Sequence, residues 1–430
     1  MFRIALAFFF LCLLAACQHQ VRPAGAFPQG SGGVNAAHQL DKPYLVLVSI
    51  DGFRWDFMER YPTPNLDRIA AAGSRAERLL PVFPTLTFPN HYSIATGLYP
   101  ASHGLVANTF PDPQSGRWYS MKDRGAVQDP YFYSGEPIWV TAETQGMVAA
   151  SFFFVGSEAP IKGVQPTHWR RYDGDIPGAA RVDQVLAWLA EPPERRPHMI
   201  TLYFEEVDSY SHWYGPDSAA NIEMIHRVDS YVGHLLDGLQ KLPHGGEVNL
   251  IVVSDHGLRA YLENEPPFVL AELVDTGHAA LVGGGSYLFI HLDDEDAPSA
   301  DQITATVNRH WEHGKAYTRE TAPADWHVTG NPRFPDVILM PEPGHAVIPV
   351  AGGESLAGDH GWAPDDPAMH GFFLASGPGI KPGIELGPIE MVDVYPLMVS
   401  LLGLNAPDKL DGDADKLGGI LQGVEGKMQE

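Results

Sequence analysis

Three nearly continuous apolar runs constrain this chain more than any other feature. They are Tyr44-Leu45-Val46-Leu47-Val48-Ser49-Ile50, His198-Met199-Ile200-Thr201-Leu202-Tyr203-Phe204 and Val248-Asn249-Leu250-Ile251-Val252-Val253. Runs this short, rich in β-branched and aromatic residues and lacking polar alternation, read as strands buried on both faces of a parallel sheet. Parallel neighbours need a crossover, and one is legible between the last two runs. There Ile222, Ile225, Val228, Val232, Leu235 and Leu239 recur at spacings of three and four, forming one apolar helical stripe. Further helices are expected at 64–72, 181–190, 301–313 and 391–402, and weaker strands at Ser286–His291, Asp336–Met340 and Phe372–Ala375. Strands alternating with helices indicate an α/β fold around a mainly parallel sheet. With 44% hydrophobic and 10% aromatic residues, the 430-residue chain can bury such a core.

Each strong strand runs into an aspartate: Ile50-Asp51-Gly52, Glu206-Val207-Asp208, and Ser254-Asp255-His256-Gly257. Ligands of open α/β sheets bind outside the carboxyl ends of the strands. One aspartate there is an ordinary turn or cap residue. Three converging carboxylates would repel one another unless cations lie between them. Two of the three carry histidines, His212 four residues after Asp208 and His256 beside Asp255, and mixed Asp/His ligation fits zinc in a two-metal site.

The overall charge restricts the partners. Against 53 acidic residues stand 28 Lys and Arg, a formal net charge of −25, so no cation excess exists to bind a nucleic-acid polymer or an anionic lipid surface. Three ligand carboxylates facing two divalent ions nevertheless leave a local excess of one positive charge, which suits a small phosphate-bearing substrate.

Both cysteines lie at the N-terminus. After Met1-Phe2-Arg3 an apolar stretch from Ile4 to Ala16 is too short for an ordinary membrane span and reads as a signal peptide, residues 1–16. Leu14-Ala15-Ala16-Cys17 resembles the bacterial lipobox, which makes Cys17 a lipidated N-terminus followed, to residue 42, by a flexible tether. Plain signal cleavage is the alternative. Under lipidation Cys12 leaves with the signal, no disulfide forms in the body, and membrane contact is through the anchor alone. By the sorting rule that accompanies the lipobox, Gln18 directs an exported lipoprotein to the outer membrane, facing the periplasm or cell surface. A Cys17→Ser chain is expected to stop partitioning with membranes, and continued partitioning would remove the anchor. The folded part spans 43–405, and 406–430 reads as a polar, loosely held tail.

Residues 84–104 contain Pro84-Thr85-Leu86-Thr87-Phe88-Pro89-Asn90-His91-Tyr92. Pro89 suits the first turn of a short helix and puts Thr87 at its N-terminus, where free N–H groups and the positive dipole end favour a phosphoryl oxygen and a developing alkoxide. A threonine hydroxyl needs activation, which metal ligation supplies. Thr85 is the rival nucleophile.

Several segments in order now resemble one family. They are Ser49-Ile50-Asp51-Gly52, Thr87-Phe88-Pro89-Asn90-His91-Tyr92, Thr96-Gly97-Leu98-Tyr99-Pro100, Gly135-Glu136-Pro137-Ile138-Trp139, Asp208-Ser209-Tyr210-Ser211-His212, Ser254-Asp255-His256-Gly257 and Gly358-Asp359-His360-Gly361. Together with Gly377-Pro378-Gly379-Ile380-Lys381 they resemble the bacterial nucleotide pyrophosphatase/phosphodiesterases of the alkaline phosphatase superfamily. The resemblance implies an alkaline-phosphatase-like three-layer sandwich holding two Zn²⁺. One ion would be held by Asp208, His212 and His360, the other by Asp51, Asp255 and His256, with Thr87 as ligand and nucleophile. His360 is preferred over His370 because it stands in the family's His-Gly turn. Asn108 would hold a phosphate oxygen beside the Thr87 amide, and Phe88, Met121, Tyr172 and Tyr203 would receive the nucleobase.

The implied reaction is in-line attack by Thr87 on the phosphorus of a small nucleotide diester or pyrophosphate, then hydrolysis of a phosphothreonine to release a nucleoside monophosphate. Choline-type phosphodiesterases and zinc phosphomonoesterases share the metal motifs. No arginine stands in a metal motif to bind a monoester dianion, and the sulfatase Cys/Ser-x-Pro-x-Arg sequence is replaced by Thr87-Phe88-Pro89-Asn90-His91. A nucleotide-binding lipoprotein without turnover is disfavoured by the complete ligand and nucleophile set.

Overall fold

The structure, a computed structural model, describes residues 33–423 except 276, 278, 293–297 and 353–355. The signal peptide, Cys17 and most of the expected tether lie outside the described residues.

The three apolar runs form the middle of an eight-stranded sheet. Its strands are β1 (Tyr44–Ile50), β2 (Ser74–Ala76), β3 (Ala149–Phe152), β4 (His168–Arg170), β5 (Met199–Phe204), β6 (Val248–Val253), β7 (Phe373–Ser376) and β8 (Ile384–Leu386). Across the sheet the order is β8-β2-β7-β6-β1-β5-β3-β4. β1 is central and parallel to both β5 and β6, with every residue buried, which is why its sequence shows no polar alternation. Only β7 runs against its neighbours, between β6 and β2.

Alternate residues of β1 enter two different cores. Tyr44, Val46, Val48 and Ile50 pack with Leu66 and Ile69 of α1 (Pro64–Ala72), Val182 and Val185 of a helix at Gly178–Leu189, and the stripe of the long helix Ala219–Leu239. Leu45 and Leu47 pack on the opposite side with Tyr92 and Ile94 of α2 (Thr87–Thr96) and with the helix Val394–Leu402. The result is a three-layer sandwich. The weaker strand candidates at 286–291 and 336–340 belong instead to a separate four-stranded antiparallel sheet, where Phe289 and Ile338 join the main core while Leu288, Ile290 and Leu339 cover a helix at Ala300–His310. Among the described residues no helix is long and apolar enough to cross a membrane.

Two expectations at the ends of the chain need correction. The last part of the expected tether is docked: Asn35 is buried, its Nδ2 donates to the carbonyls of Pro193 and Arg196, and its Oδ1 accepts from Val148 N–H. The tail is also held as far as described, because Leu417, Ile420 and Leu421 are buried in the core beside the helix Val394–Leu402. In both places a few anchoring side chains sit in otherwise polar sequence, so no apolar period announces the docking.

Candidate metal centre and nucleophile

The carboxyl ends of β1, β5 and β6 bring the three aspartates together. Asp51 extends the β1 ladder by one residue, donating its N–H to Phe204 O at 2.9 Å. Gly52 then turns with φ of 66° and donates its N–H to Asp255 Oδ1 at 3.1 Å. A Cβ there would stand 2.9 Å from the Asp208 Cα, so glycine permits the approach of these two segments. Asp208 lies in the first turn of a helix at Glu206–Tyr214, with His212 one turn later on the same face. Asp255 and His256 follow β6 directly. His360 arrives from far along the chain because Gly358–Asp359 pairs antiparallel with Arg259–Ala260 just beyond them.

These side chains form overlapping groups, one of which joins Asp51 and Asp255 to His91. Asp208, His212 and His360 each place a donor atom within 4.8 Å of the other two, as do Asp51, Asp208 and His256. His256 Nε2 lies 3.0 Å from Asp255 Oδ2 and 3.5 Å from Asp51 Oδ1. The rings of His256 and His360 stack at 3.7 Å, which joins the groups.

The hydrogen bonding fits cations at this place. Asp51 Oδ1, Asp208 Oδ1 and Asp255 Oδ2 are buried and have no hydrogen-bond partner, one oxygen from each of the three carboxylates. An orphaned buried carboxylate oxygen is costly, and a metal ion is the partner that would remove the cost. Each histidine meets a backbone carbonyl at Nδ1: His212 with Gly358 O at 3.0 Å, His256 with Gly257 O at 3.1 Å, His360 with Thr85 O at 2.7 Å. A carbonyl only accepts, so the proton sits on Nδ1 and Nε2 is left as the ligand atom.

The electrostatics of these side chains by themselves are divided. Burial alone would lower His212 and His256, but Asp208 beside His212 holds it up at about 9, and Asp255 beside His256 raises it as well. Burial, then the neighbouring Asp255 and Asp208, push the Asp51 carboxyl well above the usual range. Burial would raise Asp208 too, but His212, the strongest opposing influence, holds it down at about 2. Burial and the adjacent His256 push His360 down to about 3, keeping its imidazole neutral.

Thr87 is the first residue of α2, 7% exposed, with its Oγ1 3.4 Å from His256 Nε2. Phe88 N–H donates to Asn108 Oδ1 at 2.9 Å, whereas Thr87 N–H finds no acceptor among the described residues. The helix start thus keeps one free donor beside the Thr87 hydroxyl, and Asn108 Nδ2 adds another. The rival Thr85 is spent otherwise, since its buried hydroxyl donates to Trp362 O at 2.8 Å. His370 is also engaged elsewhere, with Nε2 donating to Pro364 O.

The four proposed base-binding residues are not equivalent. Met121 is 36% and Tyr172 41% exposed, and Phe88 is half-buried. Asn108 ties two of them together, since its carbonyl accepts from Met121 N–H and its side chain from Phe88 N–H. Tyr172 is set by its N–H on Glu158 Oε1 and packs edge-on against Phe153. Tyr203 is largely buried, and its hydroxyl donates to Asp51 Oδ2 at 2.5 Å, so it orients a carboxylate of the metal group.

The sequence reasoning missed His91. It lies one turn after Thr87, with Nδ1 donating to Thr87 O at 2.9 Å and standing 3.1 Å from Asp255 Oδ2, while Nε2 accepts from the Ser49 hydroxyl. The i, i+4 spacing from Thr87 was the available signal. Asp359 was missed as well: its carboxylate accepts from Tyr261 OH and from His360 N–H, fixing the turn that presents His360.

Residues 45–363 match the family model described as type I phosphodiesterase/nucleotide pyrophosphatase. The chain is 35% identical over 377 residues to ectonucleotide pyrophosphatase/phosphodiesterase family member 1 of Homo sapiens, covering 85% of this chain and 40% of that protein. It is 34% identical over 369 residues to a bis(5'-adenosyl)-triphosphatase of Xenopus laevis, covering 84% of this chain and 78% of that one. The chain therefore spans less than half the length of the human relative. Among solved structures, murine ectonucleotide pyrophosphatase/phosphodiesterase 5, as an inactive threonine-to-alanine variant in complex with AMP, superposes with a TM-score of 0.83 at 28% identity, covering 89% of this chain and all of that one.

Proposed function

Because the chain belongs to the type I phosphodiesterase/nucleotide pyrophosphatase family, we propose that it hydrolyses nucleotide phosphodiesters and pyrophosphates to nucleoside monophosphates through a phosphothreonine at Thr87. The observation that carries this is the Thr87 hydroxyl at the start of α2, beside three carboxylates that each leave one buried oxygen unpaired. Asp208, His212 and His360 would hold one Zn²⁺, and Asp51, Asp255 and His256 with Thr87 the other. Two such ions would supply acidification of the threonine hydroxyl and neutralisation of charge on the phosphoryl group.

The chain's own groups do the rest. Thr87 Oγ1 forms the new bond to phosphorus as the bond to the leaving oxygen breaks and the hydroxyl proton passes to that oxygen, so the phosphothreonine still carries the nucleoside. Water then cleaves it, releasing the nucleoside monophosphate and restoring the threonine hydroxyl. Thr87 N–H and Asn108 Nδ2 donate to a non-bridging oxygen, where charge accumulates in the transition state. Phe88, Met121 and Tyr172 offer apolar surface for a base. Tyr203 and His91 keep Asp51 and the Thr87 backbone in place. The frog relative's name and the AMP held by the mouse neighbour support a small nucleotide substrate.

The test compares p-nitrophenyl thymidine monophosphate with p-nitrophenyl phosphate. The expected result is preference for the diester by at least about 100-fold in kcat/KM, equivalent to ~2.7 kcal/mol of transition-state binding, abolished by chelation and restored by Zn²⁺. Preference for the monoester, faster turnover of p-nitrophenyl phosphorylcholine, or no zinc-dependent turnover would overturn the proposal.

A further inference from the structure

A second set of side chains able to hold a metal lies in turns beside the four-stranded sheet, apart from the strand-end aspartates. Glu265, His313 and His345 each bring one donor atom within 4.8 Å of the other two. We propose that Glu265, His313 and His345 form an additional binding site for a divalent zinc-type cation.

The backbone holds these three residues together without a metal. Phe268–Val269 pairs parallel with Val347–Ile348, so Glu265 and His345, shortly before the two paired segments, enter at the same end. The Phe268 ring stacks on Trp311 at 4.7 Å, which brings the turn bearing His313 against the same place. Glu342 N–H donates to His313 O, and His345 N–H to Glu342 O, both at 2.9 Å. Trp362 Nε1 donates to His345 O at 3.2 Å, fixing the third segment to the core.

The side chains are arranged for ligation. The two imidazoles lie parallel, 4.2 Å apart with 5° between their planes, so both present ring nitrogens to the same small space. His313 Nδ1 points at Glu342 Oε2 at 3.4 Å, the carboxylate contact that orients a ligating histidine and frees Nε2. Two imidazoles and a carboxylate suit Zn²⁺ with a fourth position open to water or an incoming ligand. Glu265 and His313 are exposed and His345 half-buried, so an ion has direct access from solvent. Glu265 also lines a cavity of about 870 Å³ whose wall includes Tyr261 and Asp359.

The experiment strips the full chain with chelator, titrates it with Zn²⁺ against a chromophoric competitor, and counts bound zinc per chain. Wild type is expected to bind one equivalent more than His345→Ala or His313→Ala. Glu342→Gln should keep that equivalent with affinity weakened about 10-fold to 100-fold. The comparison is a difference between surface variants, so it stands whether or not the chain hydrolyses nucleotides. Thermal unfolding in chelator checks that the variants fold, and a smaller zinc-induced rise in Tm for His345→Ala than for wild type is the second expected readout. Equal zinc counts and equal affinities in wild type and the His313→Ala/His345→Ala double variant would overturn the site.

Discussion

The Thr87→Ala chain is expected to fold as wild type and to lose nucleotide diester hydrolysis by at least about 1,000-fold, since no other group can take the nucleophile's place. Thr87 is buried, yet among the described residues its hydroxyl's one hydrogen-bond contact is His256 Nε2, at 3.4 Å, so its removal should lower stability by less than about 1 kcal/mol. Thr85 cannot substitute, because its hydroxyl is committed to the Trp362 carbonyl. Thr87→Ser keeps the attacking oxygen and should retain far more activity than Thr87→Ala. Loss of activity alone does not establish a covalent step. Wild type quenched in acid during turnover should therefore carry the nucleoside monophosphate on the peptide containing Thr87, and Thr87→Ala should not. Intact activity in Thr87→Ala, with no nucleotide trapped in wild type, would sink the mechanism.

The second large effect concerns Asp51, where activity and stability should move in opposite directions. Asp51→Asn is expected to lower activity at least about 1,000-fold, the loss of roughly 4 kcal/mol of metal-assisted transition-state stabilisation. In chelator the same variant should be more stable than wild type, by about 1–3 kcal/mol, the range for an unsatisfied buried polar group. Asp51 Oδ1 is buried without a partner, and burial and the carboxylates of Asp255 and Asp208 push its carboxyl well up. A carboxyl raised on folding favours the native state below its unfolded value, and that contribution is lost as pH rises through the folded value. Near neutral pH the metal-free wild type therefore bears a cost that asparagine avoids, while the asparagine oxygen can still accept from Tyr203 OH. Zinc should raise the Tm of wild type and do so much less for Asp51→Asn. A variant less stable than wild type in chelator would contradict this account of the site.

The strand-end aspartates were legible because burial on both faces of β1, β5 and β6 leaves an apolar signature, and their carboxyl ends open to one side of the sheet. His212 was legible through its helical spacing from Asp208, and His256 through adjacency to Asp255. His360 was not legible by spacing. It came from a resemblance, and its place depends on a two-residue antiparallel pair, Arg259 with Asp359, too short to leave a pattern. His91 received no role from the sequence, and the Asp51 contact of Tyr203 went unread, for a related reason. Both are buried among aromatic neighbours, and what sets their chemistry is a partner distant in sequence, Ser49 for one and Asp51 for the other.

By itself the sequence determined the central strands of the sheet, most of its covering helices, the residues that end those strands, and a threonine at a helix start. Those are matters of local periodicity and of what a strand or helix end leaves exposed. Only the tertiary structure decided which carboxylate oxygens are left without partners, which nitrogen of each histidine is free, which of two threonine hydroxyls is available, and that chain ends of polar composition dock on the core. Hydrogen-bond satisfaction is settled between segments far apart in the chain, and no local pattern records it.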